Sequence, residues 1–365
     1  MRDDSFDNPA MRWHLYCRVV DNFGDIGVAW RLAADLASRG EDVRLAVDDA
    51  SALAWMAPGR ADRVEVCRWT GAAPIAPDVV VELFGGGIPD EVAAAAAAAP
   101  RSPLVVNVEH LSAESYVERS HGLPSPRLTE HGLPFTTWYF YPGFTEETGG
   151  LLRERGLLER RLQFDADRWL ASIGVATRPG ERRVSLFCYA NRAVPSLLEA
   201  LSDPPTLLLL APGAASDEAR ACLGSSMTRG ALRAMSLPHL SQVDFDRLLW
   251  ACELNFVRGE DSLVRAIWSG APFVWQLYGQ ADGAHVAKLD AFLDRFLADA
   301  PTPLASAVRS LFARWNVAAA GQLDALPLRG ALFDDWTAHC QRWRDGLAAR
   351  DDLVTQLIRF AESKR

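Results

Sequence analysis

The stretch Trp13-His14-Leu15-Tyr16-Cys17-Arg18-Val19-Val20-Asp21-Asn22-Phe23-Gly24-Asp25-Ile26-Gly27-Val28 decides how the chain folds. Trp13–Val20 is short and apolar enough for a buried strand, and Asp21–Gly27 reads as a loop. From Val28 to Arg39 apolar residues recur at helical spacing, with Val28, Leu32 and Leu36 on one stripe and Ala29, Ala33 and Ala37 beside it. Gly40 ends that helix and Val43–Val47 is the next strand. Working outward, Val64–Arg68, Val79–Leu83 and Leu104–Asn107 are further strand candidates, with a helix over Asp90–Ala99 stopped by Pro100. Strand–helix units of this length imply a parallel sheet covered on both faces.

The polar, arginine-rich run Ala176–Arg183 reads as a linker, after which the alternation restarts. Strands are expected at Val184–Tyr189, Thr206–Ala211, Leu254–Val257 and Phe273–Gln276, and helices at Val194–Leu201, Ser262–Ser269 and Gly283–Leu297. From Pro303 onward the pattern is mostly helical. The expected fold class is α/β, with two Rossmann-like doubly wound domains facing a cleft at the carboxyl ends of their strands.

The length of 365 residues fits two domains, and 49% apolar with 23% charged residues is ordinary globular composition. Disordered and disulfide-scaffold classes are excluded. No apolar run approaches the ~20 residues of a membrane-spanning helix. Met1–Ala10 is polar and acidic, so no secretory signal is expected and the chain reads as cytoplasmic. A formal charge of −9 argues against a nucleic-acid binder, which would show a basic face. Of 38 basic residues only Lys288 and Lys364 are lysines, an excess of arginine read first as genome composition. The six cysteines show no C-x-x-C spacing, which implies buried free thiols and no cysteine metal site. His-Gly-Leu-Pro occurs at 121–124 and again at 131–134, read as turn composition without a repeat architecture.

Three segments can carry chemistry. The Asp21–Gly27 loop places two carboxylates and two glycines at the mouth of a sheet. Either Asp25 caps the helix while Asp21 makes an Asx-turn, or Asp25 is a general base. In Asn255-Phe256-Val257-Arg258-Gly259-Glu260-Asp261-Ser262 a strand ends, Gly259 turns the chain, and Asp261 or Ser262 caps the next helix. There Arg258 beside a helix N-terminus suits a pyrophosphate, unless it simply pairs with Glu260. Phe187 and Tyr189 share one face of a strand end and can stack on a nucleobase, with core packing the plainer alternative for Phe187. Gln242 has the donor–acceptor pair needed to read a base edge.

H-E-x-x-H, G-x-S-x-G, Walker A and G-x-G-x-x-G patterns are all missing, the last of these disfavouring a Rossmann oxidoreductase. Asp165-Ala166-Asp167 and Asp244-Phe245-Asp246 read as solvated helix faces with no metal.

The segments Val19–Val28, Leu111-Ser112-Ala113-Glu114, Gly149-Gly150-Leu151-Leu152-Arg153-Glu154, Leu248-Leu249-Trp250, Asn255–Ala266 and Pro272-Phe273-Val274-Trp275-Gln276 together resemble one family. It is the elongation factor P arginine rhamnosyltransferases (EarP), and the resemblance runs from about Arg12 to the C-terminus. It implies an inverting, metal-independent glycosyltransferase of the two-Rossmann-domain (GT-B) type, with no cofactor. The donor implied is dTDP-β-L-rhamnose, and the acceptor is an arginine side chain of translation elongation factor P.

Carried over by position, the catalytic aspartate falls on Asp25 and the second important acidic residue on Glu260, with Asp21 joining them. Asp21, Asn22 and Gly24 fall in the loop at the sugar, and Tyr189, Gln242, Arg258, Gly259, Asp261 and Ser262 at donor-binding positions; Phe23, Phe187 and Asn191, beside them in the chain, are expected at the donor as well. Residues 1–170 would form the acceptor domain and 180–345 the donor domain, with the closing segment 345–365 packing back on the first. Glu82–Pro89 and Gly279 depart from the family's usual residues. A GT-B enzyme acting on a small-molecule or glycan acceptor is the alternative, and a non-catalytic nucleotide-sugar-binding partner of elongation factor P is disfavoured by Asp25 and Glu260.

Overall fold

The computed structural model describes residues 10–20, 23–59, 62–69, 75–279, 283–316 and 329–364. The chain divides into two compact units. One holds residues 1–112, 116–155 and 351–365, the other 113–115 and 156–350.

In the first unit seven strands form one sheet: β1 (Arg12–Cys17), β2 (Asp42–Val47), β3 (Val64–Arg68), β4 (Val79–Leu83), β5 (Leu104–Val108), β6 (Pro124–Leu128) and β7 (Pro134–Phe140). Their order is β3-β2-β1-β4-β5-β7-β6, parallel throughout except for the antiparallel β6–β7 edge. β4 is buried at every position and β1 at all but its first, as strands covered on both faces must be. The order reverses between β1 and β4, so the ligand crevice of such a sheet lies where those two strands end.

The segment leaving β1 contains the first candidate residues. The helix that follows spans Gly24–Ser38, four residues earlier than the glycines allow by propensity alone. Burial of Ile26, Ala29 and Trp30 against the sheet outweighs that propensity. The two His-Gly-Leu-Pro runs lead into β6 and β7. Gly122 and Gly132 take φ of 72° and 75°, and each Pro begins a strand. The echo therefore marks the two arms of a hairpin.

The last helix, Leu353–Ser363, packs in the first unit, where Leu353, Val354, Leu357 and Ala361 join Ile26, Ala29 and Leu36 in one core. Asp352 caps it by accepting from Thr355 N–H, and Arg39 ties it to the Gly24–Ser38 helix through Asp352 at 2.7 Å. The helical segments at 157–162 and 166–172, read from sequence as part of the first domain, pack in the second. Trp169 and Leu170 sit in one core with Leu207, Leu209 and Leu248. Both sides of Ala176–Arg183 thus belong to the second unit, and that segment is no linker. Arg233 holds it through Glu181 and the Ala176 carbonyl, and the first strand of the second unit already begins at Arg182.

In the second unit six strands form a sheet: β8 (Arg182–Leu186), β9 (Thr206–Leu210), β10 (Thr228–Arg229), β11 (Leu232–Ser236), β12 (Leu254–Arg258) and β13 (Phe273–Gln276). The order is β10-β11-β9-β8-β12-β13, with only β10–β11 antiparallel. Here the reversal lies between β8 and β12, whose carboxyl ends lead into Phe187–Tyr189 and Arg258–Gly259. Asp246, expected on a solvated face, is buried and accepts from Arg265 Nε and Nη2 at 2.8 and 2.9 Å. Asp246→Asn leaves Arg265 buried without its counter-charge, and chemical denaturation should show a loss of about 3 kcal/mol. Asp165 caps its helix by accepting from Arg168 N–H, and Asp167 pairs with Arg183.

His14 lies on the sheet beside Arg44, its β2 register partner, and two residues from Arg12. Burial, then those two cations, pushes its imidazole down to about 4. Between the ordinary value near 6.5 and about 4, the unfolded chain binds a proton that the folded chain refuses, so stability falls as pH falls through that window. The expected loss is about 2 kcal/mol after allowance for solvent screening. Urea melts at pH 7 and pH 4.5 should show a smaller drop for His14→Gln than for the parent. All six cysteines are free thiols, and burial pushes Cys188 up to about 12. Among the described residues no helix is long and apolar enough to cross a membrane.

Candidate functional site

In the first unit Asp25 occupies the first turn of the Gly24–Ser38 helix, whose cap position, Phe23, offers no side-chain cap. Asp25 is therefore not the cap. Its Oδ2 accepts from Val20 N–H at 2.8 Å, and Asp48 accepts from Val19 N–H at 2.9 Å. Two carboxylates thus pin the backbone just after β1, and the positive end of the helix complements the one within it. Phe23 packs edge-on to Trp55 with ring centres 5.1 Å apart. Asp21 and Asn22 lie outside the described residues. Across the switch point, Glu82 at the end of β4 is buried, paired with Arg127 at 2.6 Å and accepting from Gly87 N–H.

In the second unit the candidate residues gather where β8 and β12 end. Arg258 is the cap residue of the Gly259–Ser269 helix, extended at φ −131°, ψ 158°. That helix begins at Gly259, so Asp261 and Ser262 lie within its first turn instead of capping it. Gly259 takes φ 64°, where a side chain is strained, and a Cβ there would stand 3.6 Å from the Tyr189 hydroxyl. Trp275 holds the turn by donating its indole N–H to the Gly259 carbonyl at 2.8 Å.

The Arg258 guanidinium lies over two rings, 4.6 Å from the centre of Phe187 and 4.7 Å from that of Tyr189. Stacking of this kind fixes the plane of the fork, so its N–H groups are oriented before any anion arrives. The same contact means one face of each ring carries the cation. Phe187 also meets Phe245 edge-on at 5.2 Å, one helical turn from the buried Gln242 on the Gln242–Ala251 helix. Both ends of the Asn191 amide are engaged within the fold, donating to the Trp315 carbonyl and accepting from Ala193 N–H. Glu260 pairs with Lys288 on the Ala284–Phe296 helix, and Arg258 lies on the rings instead of on Glu260.

Sequence reasoning missed three neighbours of this cluster. Lys288 had a visible signal, as one of two lysines among 38 basic residues. Gln276 was read only as the last residue of the β13 strand signal and its motif, and Tyr278, largely exposed and edge-on to Tyr189 at 5.4 Å, had no signal beyond standing after that strand.

Two doubly wound sheets, one with an anchored carboxylate at its switch point and one with a ring-stacked arginine at a helix N-terminus, describe a glycosyltransferase of the GT-B type. The chain belongs to the EarP family, described as Elongation-Factor P (EF-P) rhamnosyltransferase EarP, which it matches over residues 13–362. It is 43% identical to the protein-arginine rhamnosyltransferase of Pseudomonas aeruginosa, over 95% of this chain and 98% of that one. A protein of the same name from Shewanella oneidensis is 33% identical, over 98% and 99%. Among solved structures, one described as the structural basis for EarP-mediated arginine glycosylation of translation elongation factor EF-P matches with TM-score 0.66 and 30% identity, over 97% of this chain and all of that one. A glycosyltransferase from Rickettsia africae, 7% identical with TM-score 0.52, shares the fold alone.

Proposed function

We propose that this chain transfers rhamnose from dTDP-β-L-rhamnose to one arginine side chain of translation elongation factor P. The observation that carries the reading is Arg258, stacked on Phe187 and Tyr189 at the start of a helix, in a chain 43% identical to a protein-arginine rhamnosyltransferase. In this reading the second unit holds the nucleotide: Arg258 and the backbone N–H groups of the Gly259–Ser269 helix take the diphosphate. Ser262 adds a hydroxyl, and Gln242 reads the base edge.

The acceptor is demanding. A guanidinium has a pKa above 12 and no lone pair ready to attack. Asp25 is assigned to orient it and take its proton as the nitrogen bonds to the anomeric carbon. The bond from that carbon to the diphosphate oxygen breaks, and its electron pair leaves with dTDP. Attack from the opposite face turns the β-linkage into an α-linkage. Arg258 and the helix N-terminus stabilise the charge growing on the leaving group, so the reading needs no metal. Glu260, held by Lys288, is assigned to the acceptor guanidinium or the sugar hydroxyls.

The test is to incubate the purified protein with dTDP-β-L-rhamnose and elongation factor P carrying its loop arginine, then measure the factor's intact mass. A gain of one deoxyhexose is expected. No gain, with dTDP still bound, would keep the donor site and reject the acceptor.

A further inference from the structure

We propose that Gln276 reads a hydroxyl of the hexose on the nucleotide donor and so helps select the sugar; this rests on the donor reading above. Gln276 ends β13 in register with Arg258, one strand over from the diphosphate position. Its backbone is held on both sides: Leu277 N–H donates to Asn316 Oδ1, and Asn316 Nδ2 donates to the Trp275 carbonyl, each at 2.9 Å. The residue is 8% exposed, and its Nε2 donates to the Ala190 carbonyl at 3.4 Å. Because a carbonyl only accepts, that contact fixes which end of the amide is which. Oε1 is then buried with no hydrogen-bond partner among the described residues.

A buried acceptor left unpaired is costly, and sites that bind hydroxyls or amides are where such atoms are tolerated. Oε1 can pair only with an N–H or O–H. An ionised diphosphate has neither, so Gln276 does not serve the group assigned to Arg258. A nucleotide sugar offers a base N–H, ribose hydroxyls and hexose hydroxyls. Gln242 and Phe245 approach the cluster from the Phe187 side, whereas Gln276 approaches through Ala190, from the Tyr189 side and the β13 flank. With the diphosphate on Arg258 between them, the nucleoside falls to the Phe187 side and the hexose to Gln276. A site built to accept from a hydroxyl discriminates strongly against a donor lacking it.

Calorimetric titration of the full chain with dTDP and with dTDP-β-L-rhamnose is the test. Gln276→Met should bind dTDP within twofold of the parent, and dTDP-β-L-rhamnose roughly tenfold more weakly. Equal loss for both ligands, or no loss for either, overturns the assignment. The parent protein gives a check independent of how the variant folds: among dTDP-hexoses each lacking one hydroxyl, one should bind about tenfold more weakly than the full donor. If all bind alike, the proposal fails. A parent that binds no dTDP at all would instead refute the donor reading itself.

Discussion

Asp25→Asn should transfer no measurable rhamnose while binding dTDP as tightly as the parent. The amide is isosteric, and its oxygen can still accept from Val20 N–H, the 2.8 Å bond that closes the chain between β1 and the Gly24–Ser38 helix. The fold around the switch point is therefore kept, and the change removes only the negative charge and the capacity to take a proton. A positioned base contributes roughly 10²–10⁴-fold, and an acceptor as weakly acidic as a guanidinium puts the loss at the upper end of that range. Single-turnover assays by intact mass measure the rate, and calorimetry measures dTDP affinity. Substantial residual turnover would remove Asp25 from the role of base. Donor affinity lost along with activity would point to a nucleotide-side role for this residue.

The fold was readable because two physical signals repeat in both halves. Continuous apolar runs mark strands buried on both faces, and stripes such as Val28, Leu32 and Leu36 mark the helices between them. What local sequence misjudges is where neighbouring elements override propensity. Gly24 and Gly27 read as loop, yet the helix starts at Gly24 because Ile26 is driven into the core. Arg182 and Arg183 read as linker, yet they open β8 because Val184, Ser185 and Leu186 continue into the sheet. Asp246 reads as solvated because its counter-charge, Arg265, stands on the next helix and shows only in the fold.

The candidate site divides in the same way. Residue types at strand ends gave Asp25, Arg258, Phe187 and Tyr189, since a doubly wound sheet binds ligands where its strands finish. The way they combine was not legible. The rings expected to carry a base carry Arg258 on one face, and the glutamate suspected of pairing with that arginine is held by Lys288. Such pairings depend on side chains distant in sequence, and no local pattern encodes them.

Arg258→Ala should weaken dTDP binding about 100-fold and lower kcat/KM further, to roughly 10³–10⁴-fold below the parent. The first effect is the loss of a charge-assisted fork on the diphosphate. The second arises because charge on the leaving group is greatest in the transition state, where a preorganised donor acts most strongly. The backbone at this position is held by pairing with Gln276 and by the Trp275 bond to the Gly259 carbonyl, neither of which needs the guanidinium. The helix start should survive the substitution, and an unchanged melting temperature would show it. Arg258→Lys separates charge from geometry. Lysine restores the positive charge but has no planar fork, and it cannot lie flat on Phe187 and Tyr189 as guanidinium does. If orientation by those rings is what makes Arg258 effective, the lysine variant stays within about tenfold of the alanine variant in kcat/KM. Recovery to near-parent activity would reduce the role of the rings to packing, and unchanged dTDP affinity in the alanine variant would move the diphosphate away from β12 altogether.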